Sequence, residues 1–281
     1  MNEIVTIGIG NAGCNITDQI FDQLAKEHTI DPSTGFIKQP EHNNSNIFFL
    51  EKNSDKSHQP RCVLIDLEPD TINSISKRSR ISRLYNKDFF VNGKEASATY
   101  SNAVVQYKQN LRDKCDEIIR KQIEKCDYLQ GINVHFSLLA GSSGASVEII
   151  NRLECDYGKI PIFLFYENIG DCSQATVPEL YNTMLSWYAI LNTSHSAGFY
   201  YDNKALYKAL EKISDYEDNY HNRYERVNKL LALQFSDLFS GMRFGNGFGI
   251  ESMQHVLANQ HQFINSYCTF MSPLKNEEDI L

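Results

Sequence analysis

Two short runs of small residues carry the first chemical signal. Gly8-Ile9-Gly10-Asn11-Ala12-Gly13 follows an apolar, β-branched stretch beginning at Ile4 and leads into apolar residues at helical spacing. A tight strand-to-helix turn of this kind aims backbone N–H groups and a helix N-terminus at whatever lies above it, which suits a phosphate. The second run, Ala140-Gly141-Ser142-Ser143-Gly144-Ala145-Ser146, stands between the strand-like stretch 133–139 and another helical pattern. Two such turns on one parallel sheet suggest a polyphosphate held from both sides. Asp66-Leu67-Glu68-Pro69 ends a further apolar run and places Asp66 and Glu68 where a magnesium ion on that polyphosphate would need carboxylates.

Gly8 to Gly13 is also a literal G-x-G-x-x-G, which in a dinucleotide fold requires an acidic residue closing the second strand about 20 residues on. Here the second strand-like run ends at Glu51, well beyond that distance. The intervening chain lacks the shape of a compact βαβ unit. Taken alone, the motif also admits the plainer reading of glycines that merely permit a tight turn.

The elements that must position these turns are legible from periodicity. Strand-like runs fall at 4–9, 46–50, 62–66, 133–139, 161–166 and 197–201, with helical patterns at 11–28, 101–126, 144–156, 176–191 and 203–213. Near-continuous apolar strands alternating with helices predict an α/β fold, a doubly wound, mostly parallel sheet with helices on both faces. Residues 29–60 break the rhythm as a long surface excursion, and 221–243 form a longer helix, apolar on most sides and so expected between two layers. A glycine-rich turn (Gly245, Gly247, Gly249), an amphipathic stretch near 250–260 and a last strand near 263–271 follow.

With 27 basic and 35 acidic residues the net charge is −8, so a nucleic-acid partner receives no electrostatic support; the brief run Lys77-Arg78-Ser79-Arg80 reads as a solvated helix end. Seven scattered cysteines without a C-x-x-C pair suggest neither a disulfide framework nor a zinc site, and reduced cytosolic thiols fit best. No apolar run approaches the ~20 residues of a membrane span, and no leader-like start is present, so the reading is cytoplasmic and without a membrane partner.

Eight segments, in order, resemble the tubulins. Gly10-Asn11-Ala12-Gly13-Cys14-Asn15-Ile16-Thr17 is similar to G-Q-A-G-C-Q-I-G, Glu27-His28-Thr29-Ile30-Asp31-Pro32 to E-H-G-I-D-P, and Arg61 to Pro69 to R-A-V-L-V-D-L-E-P. Asn92-Gly93-Lys94-Glu95 matches the start of the third nucleotide loop, and Gly141 to Ser146 stands where G-G-T-G-S-G belongs. Glu179-Leu180-Tyr181-Asn182 resembles E-P-Y-N, Tyr201 to Tyr207 resembles I-D-N-E-A-L-Y, and Met242-Arg243-Phe244 the L-R-F that ends the central helix.

The resemblance implies a guanine nucleotide, GTP or GDP, with Mg²⁺ at Asp66 and Glu68. Phosphate contacts would come from Gly10, Asn11, Ala12, Cys14 and Asn15, and from Gly141, Ser142, Ser143, Gly144 and Ala145. Asn203 and Asn228 would read the guanine edge, Tyr224 would stack on the base, and Glu179 would meet the ribose. The phosphate side departs from the family pattern: Ala96 and Thr99 replace an acid and an asparagine facing the terminal phosphate, and Ser142 and Ser146 replace glycines. Diphosphate binding, or a weaker hold on the terminal phosphate, is therefore expected. The acid that tubulin offers to a neighbour's nucleotide aligns with Gln254, a poor general base, and Glu251 lies about one helical turn out of register.

The implied organisation is a nucleotide-binding domain over 1–215, a central helix over 221–243 and a remnant of the intermediate domain over 244–281. The expected function is that of a structural component of a microtubule-related cytoskeletal assembly with weak or absent hydrolysis. Its partners would be tubulin or tubulin-like subunits and other cytoskeletal proteins, meeting an uncovered apolar face near 263–271. A GTPase completed by a neighbouring subunit and a nucleotide-free interaction module are the alternatives.

Overall fold

The structure, a computed structural model, describes residues 3–39, 44–168, 175–192, 196–211, 220–245 and 264–266. Strands β1 (Glu3–Ile9), β2 (Phe49–Glu51), β3 (His58–Pro60), β4 (Cys62–Asp66), β5 (Phe90–Asn92), β6 (Leu129–Ser137), β7 (Ile162–Asn168), β8 (Ser196–Asp202) and β9 (Ile264–Ser266) alternate with helices. The helices are α1 (Gly10–Glu27), α2 (Asp70–Arg78), α3 (Tyr100–Gln106), α4 (Arg112–Ile123), α5 (Ser143–Tyr157), α6 (Val177–Leu191), α7 (Asn203–Glu211), α8 (Tyr220–Leu238) and α9 (Ser240–Phe244).

Seven strands form one sheet in the order β5-β4-β1-β6-β7-β8-β9, every pairing parallel. Such a sheet must be covered on both faces, and two apolar clusters do so. Ile16, Ile20, Phe21 and Leu24 of α1, with Leu230, Leu231 and Phe235 of α8, cover one face. Ala103, Cys115, Ile119, Ile149 and Leu153, from α3, α4 and α5, cover the other. The order reverses between β1 and β6, whose following helices α1 and α5 lie on opposite faces. A crevice therefore opens above the carboxyl ends of these two strands, the place where such sheets bind ligands.

Residues 46–50 are not a strand of this sheet. A 3₁₀ turn occupies Ser45–Ile47, and Phe49–Glu51 pairs antiparallel with His58–Pro60 in a separate ribbon. Phe48 and Phe49 are consecutive and both fully buried, Phe48 against Phe235 and Phe239 and Phe49 against Phe21. A half-covered strand, with its period of two, would have left one of them in water. The predicted helix over 101–126 is interrupted by a π-helical turn at Tyr107–Leu111, and the central helix breaks at Phe239. That central helix buries Val227, Leu230, Leu231, Ala232 and Phe235 while Glu225 and Asp237 face water, so among its described residues it retains a solvent edge. Periodicity had not indicated α2 or β5, which are short. Of the last predicted strand only Ile264–Ser266 is described, and it extends the main sheet beside β8. The stretch 250–260, the 212–219 junction and everything after 266 lie outside the described residues.

Polar groups lock α1 to the rest. Arg243, fully buried, donates from Nη1 to Glu27 Oε2 (2.6 Å) and from Nη2 to the Ser236 carbonyl (2.8 Å), while Ser236 Oγ donates to Glu27 (2.6 Å). Burial pushes the Glu27 carboxyl up, but the Arg243 charge and these hydrogen bonds outweigh it and leave it below its ordinary value. Beside the basic run, Arg80 pairs with Asp22, and Ser79 Oγ donates to Asp18 Oδ1 (2.6 Å), so that run is tied to α1.

Asp18 also accepts from Tyr85 (2.9 Å), and burial pushes its carboxyl up to about 6 from 3.8 despite both hydrogen bonds. Between those two values the folded chain holds a proton that the unfolded chain has released, so this group's contribution to stability declines as pH rises through that window. Asp18→Asn removes the effect while keeping an acceptor. Wild type is expected to lose on the order of 2 kcal/mol relative to the variant between pH 4 and pH 7, at roughly 1.4 kcal/mol per pKa unit, in urea unfolding.

Candidate nucleotide site

The crevice is a cleft of about 310 Å³ that runs from the start of α1, after β1, across the carboxyl ends of β6, β7 and β8. Its walls come from Asn11, Ala12, Asn15 and Ile16 of α1, Ser137, Leu139 and Ala140 around the end of β6, and Glu167 of β7. Glu179 of α6, Tyr201 of β8, Asn203 of α7, and Tyr224 and Asn228 of α8 complete them. The four residues expected to meet base and ribose thus arrive on three helices and meet in one space. Such a mixture of polar groups and small apolar walls suits a small ligand.

Local chemistry explains each position. Glu179 is the third residue of α6, where its Oε2 accepts from Thr176 N (2.7 Å) and Thr176 Oγ1 (2.8 Å), a capping arrangement that fixes the carboxylate at the cleft rim. Asn203 opens α7 directly after β8, and its Nδ2 donates to Glu167 Oε1. Asn15 Nδ2 donates to Asn11 Oδ1 (2.7 Å) and O (2.9 Å), one helical turn away. Tyr224, 42% exposed, meets Tyr207 in a T-shaped contact with centroids 5.9 Å apart.

The phosphate turns are built by close approach. Gly10 has φ +72°, a left-handed conformation that favours glycine, and a Cβ there would sit 2.3 Å from Ser142 Oγ, so the two small-residue turns touch. On the far side, a Cβ on Gly141 would meet the Ser97 carbonyl at 1.6 Å, and one on Gly144 the Tyr100 carbonyl at 2.1 Å. The segment 97–100 therefore lies directly on the second turn. Asn182 of α6 fastens it, accepting from Tyr100 N (2.8 Å) and donating to the carbonyls of Leu139 (3.0 Å) and Ala98 (3.3 Å).

The remaining expected contacts are distributed unevenly. Gly10, Cys14, Gly141, Ser142, Ser143, Gly144 and Ala145 are not among the residues lining the cleft, and Cys14, Ser143, Gly144 and Ala145 are buried. Cys14 directs its thiol to the carbonyls of Gly8 (3.4 Å) and Ile65 (3.5 Å), and burial pushes it far above the ordinary thiol range, which makes it packing rather than reactive. Asn92, Gly93, Lys94 and Glu95 border a separate cavity of about 330 Å³. Gln254 and Glu251 lie outside the described residues.

Asp66 accepts from Leu67 N through Oδ1 (2.7 Å), and its carboxyl lies beside the Thr71 hydroxyl. Burial pushes this carboxyl up to about 6, with half-buried Glu68 adding to the rise. A hard cation would offset the disfavoured charge of this buried carboxylate. Among the described residues no three His, Cys, Asp or Glu converge, so the fit is to a magnesium ion shared with phosphates and water and not to an all-protein cage. Asn182, Glu167, Ser137 and Tyr201 escaped the sequence reading. Glu167 carried a signal, an acid directly after an apolar run near the end of its strand.

An open parallel sheet with a polar cleft at its switch point and two glycine-bearing strand-to-helix turns defines an α/β nucleotide-binding domain. Residues 3–211 match the model of the Tubulin/FtsZ family, GTPase domain, and the chain belongs to that family. It is 30% identical over 257 residues to the tubulin alpha-1B chain of Physarum polycephalum, covering 89% of this chain and 56% of that protein. It is 31% identical over 255 residues to the tubulin alpha-8 chain of Caenorhabditis elegans, covering 89% and 55%. The chain thus spans a little over half the length of these relatives. No helix among the described residues is long and apolar enough to cross a membrane.

Gly141→Ala is expected to force segment 97–100 off the second turn, since its Cβ falls 1.6 Å from a carbonyl oxygen. Overpacking of this kind costs about 1–3 kcal/mol, to be read in urea unfolding, with faster amide exchange at Tyr100, whose N–H Asn182 holds.

Proposed function

We propose that the chain binds a guanine nucleotide and serves as a structural subunit of a tubulin-like cytoskeletal assembly, turning over little nucleotide itself. The observation that carries this is the convergence of Glu179, Asn203, Tyr224 and Asn228 in one cleft. An amide both donates and accepts, as a guanine edge requires; an aromatic ring stacks on the base; a fixed carboxylate meets ribose hydroxyls. The α1 N-terminus, with Asn11 and Ala12 in the cleft wall, receives phosphate. Asp66, with Glu68, would hold Mg²⁺, which neutralises phosphate charge when bound.

The segment lying on Gly141 and Gly144 supports a diphosphate as the preferred ligand, because the backbone there faces protein. Gln254, where an acid would serve a neighbour's nucleotide, supports little stimulation of that neighbour's hydrolysis. Association with tubulin or tubulin-like subunits draws support from α6, whose Val177, Tyr181, Met184, Leu185, Tyr188 and Leu191 are exposed at helical spacing. Contiguous exposed apolar surface of this kind commonly marks a partner site.

The first test is to purify the chain gently, denature it and identify the released nucleotide by chromatography. Near-stoichiometric GDP or GTP is expected, with GDP predominating; an empty protein that takes up neither would refute the reading. Asn228→Asp removes a donor from the base edge, and Asn203→Asp removes the donor to Glu167 and sets a second carboxylate beside it. Each should weaken GDP by about 1–3 kcal/mol, tenfold or more for most of that range, and reduce the rise in melting temperature that GDP with Mg²⁺ produces in wild type.

A further inference from the structure

Glu167 is an acid that follows the apolar run Ile162–Tyr166 of its strand. It pairs in register with Ser137 of β6 and Tyr201 of β8, and all three line the cleft. Burial pushes its carboxyl up, against hydrogen bonds from Ser137 and Asn203 that lower it, and the charge of Glu179 adds to the rise. None of the described residues lining the cleft is a lysine, arginine or histidine, so no cation of the cleft wall compensates this carboxylate. A shielded carboxylate without a cation requires hydrogen-bond donors.

Asn203 Nδ2 provides one such donor to Oε1. A carboxylate only accepts, so this contact fixes which way the amide turns: its NH₂ faces Glu167, and Oδ1 is the atom left to offer a ligand. Two acceptors, the Glu167 carboxylate and Asn203 Oδ1, then stand side by side. The Tyr201 hydroxyl, buried in the same wall, lacks a hydrogen-bond partner among the described residues.

We infer that Glu167 determines base specificity here: with Asn203 it forms an acceptor pair that selects the adjacent N1–H and 2-amino donors of guanine. This rests on the reading of the cleft as a nucleotide site. Adenine would oppose the pair with an acceptor at N1, leaving lone pairs face to face and a buried acceptor unmet, the situation in which sites discriminate most strongly.

The test compares GDP, IDP, ADP and XDP binding to the full chain and to Glu167→Gln by titration, each protein's melting temperature first being measured without nucleotide. Wild type is expected to prefer GDP over IDP, which lacks the 2-amino group, at least tenfold, and over ADP by more. Glu167→Gln should lose tenfold or more on GDP and gain on XDP, whose C2 oxygen the new NH₂ can meet; a residue that merely packs would not shift that ratio. If wild type binds GDP and the variant keeps the wild-type order of all four ligands, the inference falls while the nucleotide site stands. If wild type binds none of them, both fall. Should Glu167→Gln not fold, wild type alone decides, since equal binding of GDP and IDP overturns the acceptor pair.

Discussion

The structure depends on how closely backbone can approach backbone at the carboxyl edge of the sheet. Gly13 lets α1 settle against β6, where a Cβ would lie 2.1 Å from the His135 carbonyl, and Gly141 and Gly144 let segment 97–100 lie on the turn before α5. Without these contacts the helices on opposite faces could not bring their N-termini to the same crevice. In the crevice, residues of α1, α6, α7 and α8 meet. Its position at the strand-order reversal follows from topology, but its depth follows from the absence of those methyl groups.

Charge is arranged around the cleft with a consistent logic. The acids lining it, Glu167 and Glu179, each meet hydrogen-bond donors, and no cationic side chain lines the wall among the described residues. A site of that kind favours a ligand that brings donors at its base end and arrives with its own cation at its phosphate end. The cationic side chains that are buried serve elsewhere: Arg243 closes α1 on α8 and α9, and Arg61 meets Glu3 and the carbonyl of Lys125 at the opposite end of the sheet. Structural and ligand-facing electrostatics are thus kept apart.

Much of the fold was legible because its signals are local. The strands β1, β4, β6, β7 and β8 and the helices α1, α5 and α6 announced themselves within one or a few residues of their ends, since a sheet buried on both faces demands continuous apolar runs. The Phe48-Phe49 stretch misled for a definite reason: its apolarity serves two different helices from the end of a 3₁₀ turn and the start of a separate ribbon, not from the main sheet. α2 and β5 were too short to carry a period. At the site, Asn203, Tyr224, Asn228 and Glu179 were legible only through the resemblance, whereas Asn182 lay inside a recognised segment without its task being visible, because that task is to hold a loop 82 residues away.

By itself the sequence determined the class of fold, the two small-residue turns and the carboxylate pair at the end of β4, since apolar period and glycine sterics act over a few neighbours. Only the tertiary structure decided which surfaces those residues share. Gly141 and Gly144 turned out to serve a neighbouring loop, Cys14 to pack, and Glu167 to orient an amide 36 residues further on. Hydrogen bonding and close contact depend on distances of a few ångströms between segments that the chain separates widely. Periodicity holds no record of such distances.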